Sequence, residues 1–161
     1  MKKLLEKANF IGRPFADQLM DEQKTFTRCN LELEQDPVFQ QFLADHHLET
    51  KRSSMVVFGL ENFMYWYGVL VSDEVKCPQG LMRFALPPAE VALVESDAAG
   101  LASLNQPLNQ VLPAFLAKIS SNGIQVYENP GDSQTPYIVQ DLNLATKKLA
   151  QMLYLDASEV N

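Results

Sequence analysis

An α+β domain with a mostly antiparallel sheet is the fold class this sequence predicts, and two observations carry that expectation. The apolar spacing switches from helical to two-residue at Met55 and back to helical after Ser96. The segments then run strand, helix, several strands, helix, two strands, helix, which segregates the element types instead of alternating them as a parallel sheet would. With 161 residues, 47% apolar and 20% charged, the chain has the balance of an ordinary folded domain, and one domain over 1–161 is expected at ~150 residues per domain. No repeat or low-complexity stretch asks for a boundary.

The first 27 residues carry no readable period. Phe26 to Glu34 alternates loosely, with Thr27, Cys29, Leu31 and Leu33 on one side, and is expected to be a half-exposed strand. At Asp36-Pro37 an N-cap residue precedes proline at the first helical position, and Val38, Phe39, Phe42 and Leu43 supply the stripe of a helix running to about His47. Met55 to Leu60 and Phe63 to Val71 are strand-like, rich in β-branched and aromatic side chains. In the second, Phe63, Tyr65, Tyr67, Val69 and Val71 point one way while Met64, Trp66, Gly68 and Leu70 point the other, so neither face should meet bulk water. Leu81–Leu86 and Glu90–Ser96 follow as strands joined through Pro87-Pro88. Leu104, Leu108, Leu112, Phe115 and Ile119 fall at helical spacing before Asn122-Gly123, with Pro113 expected to kink this helix or delay its start to about Gln110. Ile124–Tyr127 and Tyr137–Val139 are expected as strands. Leu142, Ala145, Leu149, Met152 and Leu153 are spaced as an extra C-terminal helix over 142–155.

A net charge of −7 opposes direct binding of nucleic acid or of an anionic membrane surface. The two cysteines, Cys29 and Cys77, give neither a metal-ligand spacing nor a disulfide framework, and a cytoplasmic location fits. Neither a signal peptide nor an apolar run long enough for a membrane span is present. His46 and His47 diverge by about 100° on a helix and are poorly placed to share an ion. No dinucleotide, P-loop, nucleophile-elbow or His-Glu-x-x-His motif occurs, so no cofactor, no metal and no catalytic residue are assigned.

Five of the fifteen aromatics, Phe58, Phe63, Tyr65, Trp66 and Tyr67, lie within ten residues. They either pack the sheet under the helices or line a pocket where flat apolar compounds stack and cations gain from the ring quadrupole. A carboxylate there would select cations or act as an acid or base, and Glu61, Glu90, Glu95 and Glu128 are the candidates.

Glu61-Asn-Phe-Met-Tyr-Trp-Tyr-Gly-Val-Leu-Val, followed by Cys77-Pro-Gln-Gly-Leu-Met-Arg-Phe-Ala-Leu-Pro-Pro-Ala-Glu-Val-Ala-Leu-Val-Glu, resembles the gyrase-inhibitor-like (GyrI-like) small-molecule-binding family. Those domains also serve as effector-binding parts of bacterial transcription activators. Gly123-Ile-Gln-Val-Tyr resembles the strand that follows the family's second helix, and the likeness spans residues 61–127. The resemblance implies duplicated β-α-β-β units, two main helices and a hydrophobic, aromatic-lined cleft, here in a free-standing form without a DNA-binding module. Tyr65, Trp66, Tyr67, Glu95, Gln125, Tyr127 and Tyr137 are the ligand-binding residues it implies. Gln125 stands where the family has an acid, which argues against strong cation preference unless Glu61 or Glu95 substitutes.

The expected function is thus binding of a hydrophobic or aromatic small molecule in the manner of such effector-binding and multidrug-binding domains. Two alternatives stay open. One is a hydrolase of cyclopropane-bearing genotoxins, with Trp66 stacking the substrate and a glutamate activating water. The other is an effector-sensing or topoisomerase-protecting role with a protein partner.

Overall fold

Strand pairing dominates the architecture. The computed structural model describes residues 1–156, and these form one eight-stranded sheet in which every ladder is antiparallel. The strands are β1 (Lys2–Leu5), β2 (Ala8–Ala16), β3 (Lys51–Phe58), β4 (Phe63–Ser72), β5 (Met82–Leu86), β6 (Ala89–Ser96), β7 (Tyr137–Asn143) and β8 (Lys148–Tyr154). Three α-helices accompany them: α1 (Thr27–Glu34), α2 (Pro37–Asp45) and α3 (Leu108–Ser121).

The spatial order is β1-β6-β8-β7-β3-β4-β2-β5. Exchanging β1–β4 for β5–β8 returns the same order reversed, so the sheet has an internal pseudo-two-fold between β3 and β7. Each half contributes the expected β-α-β-β unit plus one outer strand given to the other half: β1 pairs with β6, and β5 pairs with β2. Only Pro87 and Pro88 separate β5, at one end of the order, from β6, near the other. A flat sheet could not satisfy so short a connection, so the sheet curls into a half-barrel. The Phe84 and Tyr137 rings on β5 and β7 meet at 5.3 Å between centroids, though four strand spacings of a flat sheet would put them about 19 Å apart.

The helices cover the outer face. α1 and α2 pack on Ile11, Phe15, Tyr65, Tyr67 and Val69, while α3 packs on Ala92, Ile138 and Leu153. α2 starts as its sequence requires, since the Asp36 carboxylate accepts the amides of Val38 (2.8 Å) and Phe39 (3.3 Å) ahead of Pro37. α3 begins at Leu108, preceded by a 3-10 turn over Leu101–Asn105, and carries Pro113 inside it.

Three expectations are corrected. The segment from Phe26 to Glu34 is helix α1 and not a strand: its buried residues, Phe26, Cys29, Asn30 and Leu33, repeat at helical spacing. Asn30 disguised that stripe, because its burial depends on partners remote in sequence, the Tyr65 hydroxyl (2.8 Å) and the Asn105 side chain (2.7 Å). Ile124–Tyr127 enters no ladder and runs as a loop after Gly123. The C-terminal helix is absent, and the β7–β8 hairpin takes its place. Asn143 Oδ1 accepts the Ala145 and Thr146 amides (2.9 and 3.1 Å) and Lys147 adopts φ 60°, which turns the chain back. Leu149 and Leu153 then face the helices while Met152 and Tyr154 face inward, a two-sided burial that resembles helical spacing when read as a single stripe.

Candidate functional site

The inner face of the half-barrel gathers an apolar cluster to which every strand contributes and no helix does: Phe10, Met55, Trp66, Leu86, Val91, Val139, Met152 and Tyr154 are buried, with Leu5, Phe84, Leu93 and Tyr137 partly buried beside them. Its rings form a chain of edge-on contacts. Trp66 meets Phe10 at 6.0 Å and Phe84 at 5.7 Å, Phe84 meets Tyr137, and Tyr137 meets Tyr154 at 5.7 Å. Such T-shaped pairs place a positive ring edge on a negative face and add about 0.5–1.5 kcal/mol each beyond area burial.

Register explains how Trp66 reaches Phe10. Trp66 pairs with Pro14, four residues from Phe10, and the row between them is Gly12 opposite Gly68. A Cβ at either glycine would lie 2.0 Å from a carbonyl oxygen of the neighbouring strand, so these two positions carry no side chain between the rings. The same row continues across the sheet as Gly68, Ser53, Asp141, Ala150 and Glu95. Paired residues share a face, so Asp141 and Glu95 belong to the inner side.

Asp141 accepts a hydrogen bond from Ser53 Oγ at 2.8 Å and lies 3.8 Å from Lys51 Nζ, with its side chain 23% exposed. Burial pushes its carboxyl above the ordinary aspartate value, against the pull of Lys51, Ser53 and Lys3. The Tyr154 hydroxyl is fully buried without a hydrogen-bond partner among the described residues. Burial first, and then the Asp141 and Tyr137 charges, push its ionisation up to about 12, so it remains a neutral donor at physiological pH. An orphan hydroxyl of this kind destabilises the empty protein. Tyr154→Phe is expected to raise stability by about 1 kcal/mol in urea denaturation, and a loss of that size would show that a partner holds the hydroxyl.

The sequence-derived site residues are distributed over three places. Trp66, Tyr137 and Glu95 share the inner face, Glu95 at its exposed end. Tyr65 and Tyr67 occupy the opposite face, buried under the helices. Tyr65 stacks on Phe26 at 4.1 Å and donates to Asn30, while Tyr67 donates to Glu34 Oε2 at 2.6 Å. Gln125 is exposed on the loop after α3, and the Tyr127 hydroxyl donates to Asp156 at 3.1 Å. Glu61 and Glu128 are exposed, and Glu90 pairs with Lys2 at 3.8 Å. Phe10, Phe84, Asp141 and Tyr154 complete the inner face and were not anticipated. The available signal was the alternation Tyr137, Val139, Asp141 with Met152, Tyr154 about an Asn-initiated turn.

This geometry defines a curled antiparallel sheet with outer helices and an aromatic inner face. No protein-family model matches the chain, and no curated protein matches it. Solved structures do. The structure of SAV2435 bound to tetraphenylphosphonium superposes with a TM-score of 0.59 at 10% identity, covering 100% of this chain and 96% of that one. A candidate bacterial transcription regulation protein from Staphylococcus aureus MU50 matches with a TM-score of 0.52 at 8% identity, over 98% and 97% of the two chains. The chain therefore shares their fold. Among the described residues no helix is long and apolar enough to cross a membrane.

Proposed function

We propose that the chain binds compact, apolar small molecules with delocalised positive charge on the inner face of the half-barrel, as a protein of the gyrase-inhibitor-like kind. The observation that carries this reading is the edge-on ring chain from Phe10 to Tyr154 on one helix-free face that also carries the half-buried Asp141 carboxylate, close enough to act on Tyr154 and held only loosely, at 3.8 Å, by Lys51. Ring faces attract a soft cation, and a carboxylate taken out of water gains most when a counter-charge arrives. The fold match to a protein bound to tetraphenylphosphonium supports this ligand class. Gln125 does not bear on cation preference, because it stands outside the sheet, and Asp141 supplies the charge that the position of Gln125 lacks.

Trp66 is the only tryptophan and reports on the face directly. Titration with tetraphenylphosphonium should change its emission saturably, with an affinity about 2- to 30-fold above that of the neutral triphenylphosphine oxide. Emission that stays constant through the titration would refute the reading.

A further inference from the structure

A cavity of about 330 Å³ opens where β2 ends and β3 turns into β4, lined by Val57, Phe58, Phe63, Met64 and Asp17, with Gly59 and Asn62 of the turn at its edge. Its walls are mostly apolar and aromatic, with the polar side chains of Gln18 and Asn62 and one charged group, Asp17. Asp17 follows directly on β2, and its Oδ2 accepts the Phe63 amide at a long 3.3 Å. No ion pair reaches Asp17 among the described residues. A carboxylate facing an aromatic cavity with no counter-charge of its own is complementary to a ligand that brings one.

One wall of the cavity belongs to the inner side of the sheet, while Phe58 and Phe63 belong to its outer side. Ala16, Met64 and Val57 form one row of the sheet, and Val57 is paired with Tyr137, a member of the ring chain. Met64 is 39% exposed, at the rim. A volume of this size stands at the lower end of the roughly 300–1,000 Å³ of ligand pockets. It accommodates one or two rings of a larger cation, whose remainder must continue over Val57.

We infer that this cavity is the mouth of the binding face and that Asp17 is a cation-selecting group of the mouth, distinct from Asp141 further in, holding the charged centre of an entering aryl-substituted cation between the carboxylate and the Phe58 and Phe63 rings. The inference rests on the reading above for the path beyond Val57, while the mouth itself is a site in its own right. It differs from the inner face in a measurable way, since Asp17 recognises charge before the ligand reaches Trp66.

The test uses methyltriphenylphosphonium and triphenylphosphine oxide with the full chain, followed by calorimetry and by amide NMR shifts. Asp17→Asn keeps an acceptor for the Phe63 amide, and Met64→Lys places a like charge at an exposed position, so both variants should fold. Each is expected to weaken cation binding about threefold or more, as loss of a partly exposed charge contact does, while the neutral compound is unaffected. In the wild type the Phe63 and Asn62 amides should shift with the cation. Unchanged cation affinity in both variants, or stationary amides at saturation, overturns the assignment. If Trp66 emission still saturates in that case, the inner-face reading stands alone. If instead the amides shift and Asp17→Asn weakens binding while Trp66 stays silent, the mouth is upheld and the inner-face reading fails.

Discussion

Replacing Trp66 with alanine should lower stability by about 3–5 kcal/mol, the range for emptying a large aromatic from a core. At this chain length that corresponds to a fall in Tm of roughly 6–20 °C. The loss should be large because Trp66 contacts both Phe10 and Phe84 beside the paired Gly12 and Gly68, which have no side chain to refill the space. Calorimetric affinity for apolar cations should fall with the ring. Thermal and urea denaturation measure the first effect, and a loss below about 1 kcal/mol would mean that the curl does not depend on this contact.

The second large effect belongs to the outer face. Arg52 bonds Glu34 through Nε (2.6 Å) and Nη2 (3.1 Å), uses Nη1 on the carbonyls of Glu49 and Lys51, and lies 5.6 Å from the Phe39 ring centre. Glu34 also accepts from the Tyr67 hydroxyl, so one carboxylate ties α1 to β3 and β4. Burial raises its carboxyl, but the Arg52 and Tyr67 bonds outweigh this and hold it below the ordinary glutamate value. Arg52→Met leaves that charge half-buried with its main partner gone and should destabilise by about 3–5 kcal/mol. Adding Glu34→Gln should recover part of the loss, because the amide oxygen still accepts from Tyr67 without a charge to solvate. A carboxyl with a depressed folded value stabilises above the ordinary glutamate range, and this contribution disappears as pH falls through the depressed value. Stability measured against pH should therefore decline less steeply on the acid side in Glu34→Gln than in the wild type. Equal acid slopes would show that the pair contributes nothing.

What the sequence made legible follows from which forces act locally. The switch of period at Met55 and the opposite orientations of Tyr65 and Trp66 are properties of a strand and its two faces, and both are present. The Asp36-Pro37 cap is equally local. The α1 segment is illegible because its stripe includes Asn30, a polar residue whose place in the core depends on Tyr65 and Asn105. The β7–β8 hairpin is hidden because two apolar faces over one short stretch imitate a helix. The candidate site was legible only in part, through Trp66, Tyr137 and Glu95. Asp141 and Tyr154 reach that face through the long-range pairings of β7 with β3 and of β8 with β6, and Phe84 meets Tyr137 only because the sheet curls.

The central claim is that Asp141 is kept half-buried at a cost to the empty protein because it serves a cation. A carboxyl raised in the folded state makes the native protein bind a proton more readily than the unfolded chain. Stability contributed at this position therefore falls as pH rises from the ordinary aspartate value through the raised one, and the penalty persists at neutral pH. Asp141→Asn removes that penalty, and it also removes an attraction that at about 7 Å and an effective dielectric near 20 is about 2 kcal/mol. The decisive measurement is a paired determination, at neutral pH and one ionic strength, of urea stability and tetraphenylphosphonium affinity for wild type and Asp141→Asn. The account predicts a variant that is more stable when empty and binds the cation about thirtyfold more weakly, with triphenylphosphine oxide unaffected. A variant that is less stable, or that binds the cation as tightly as the wild type, would contradict it.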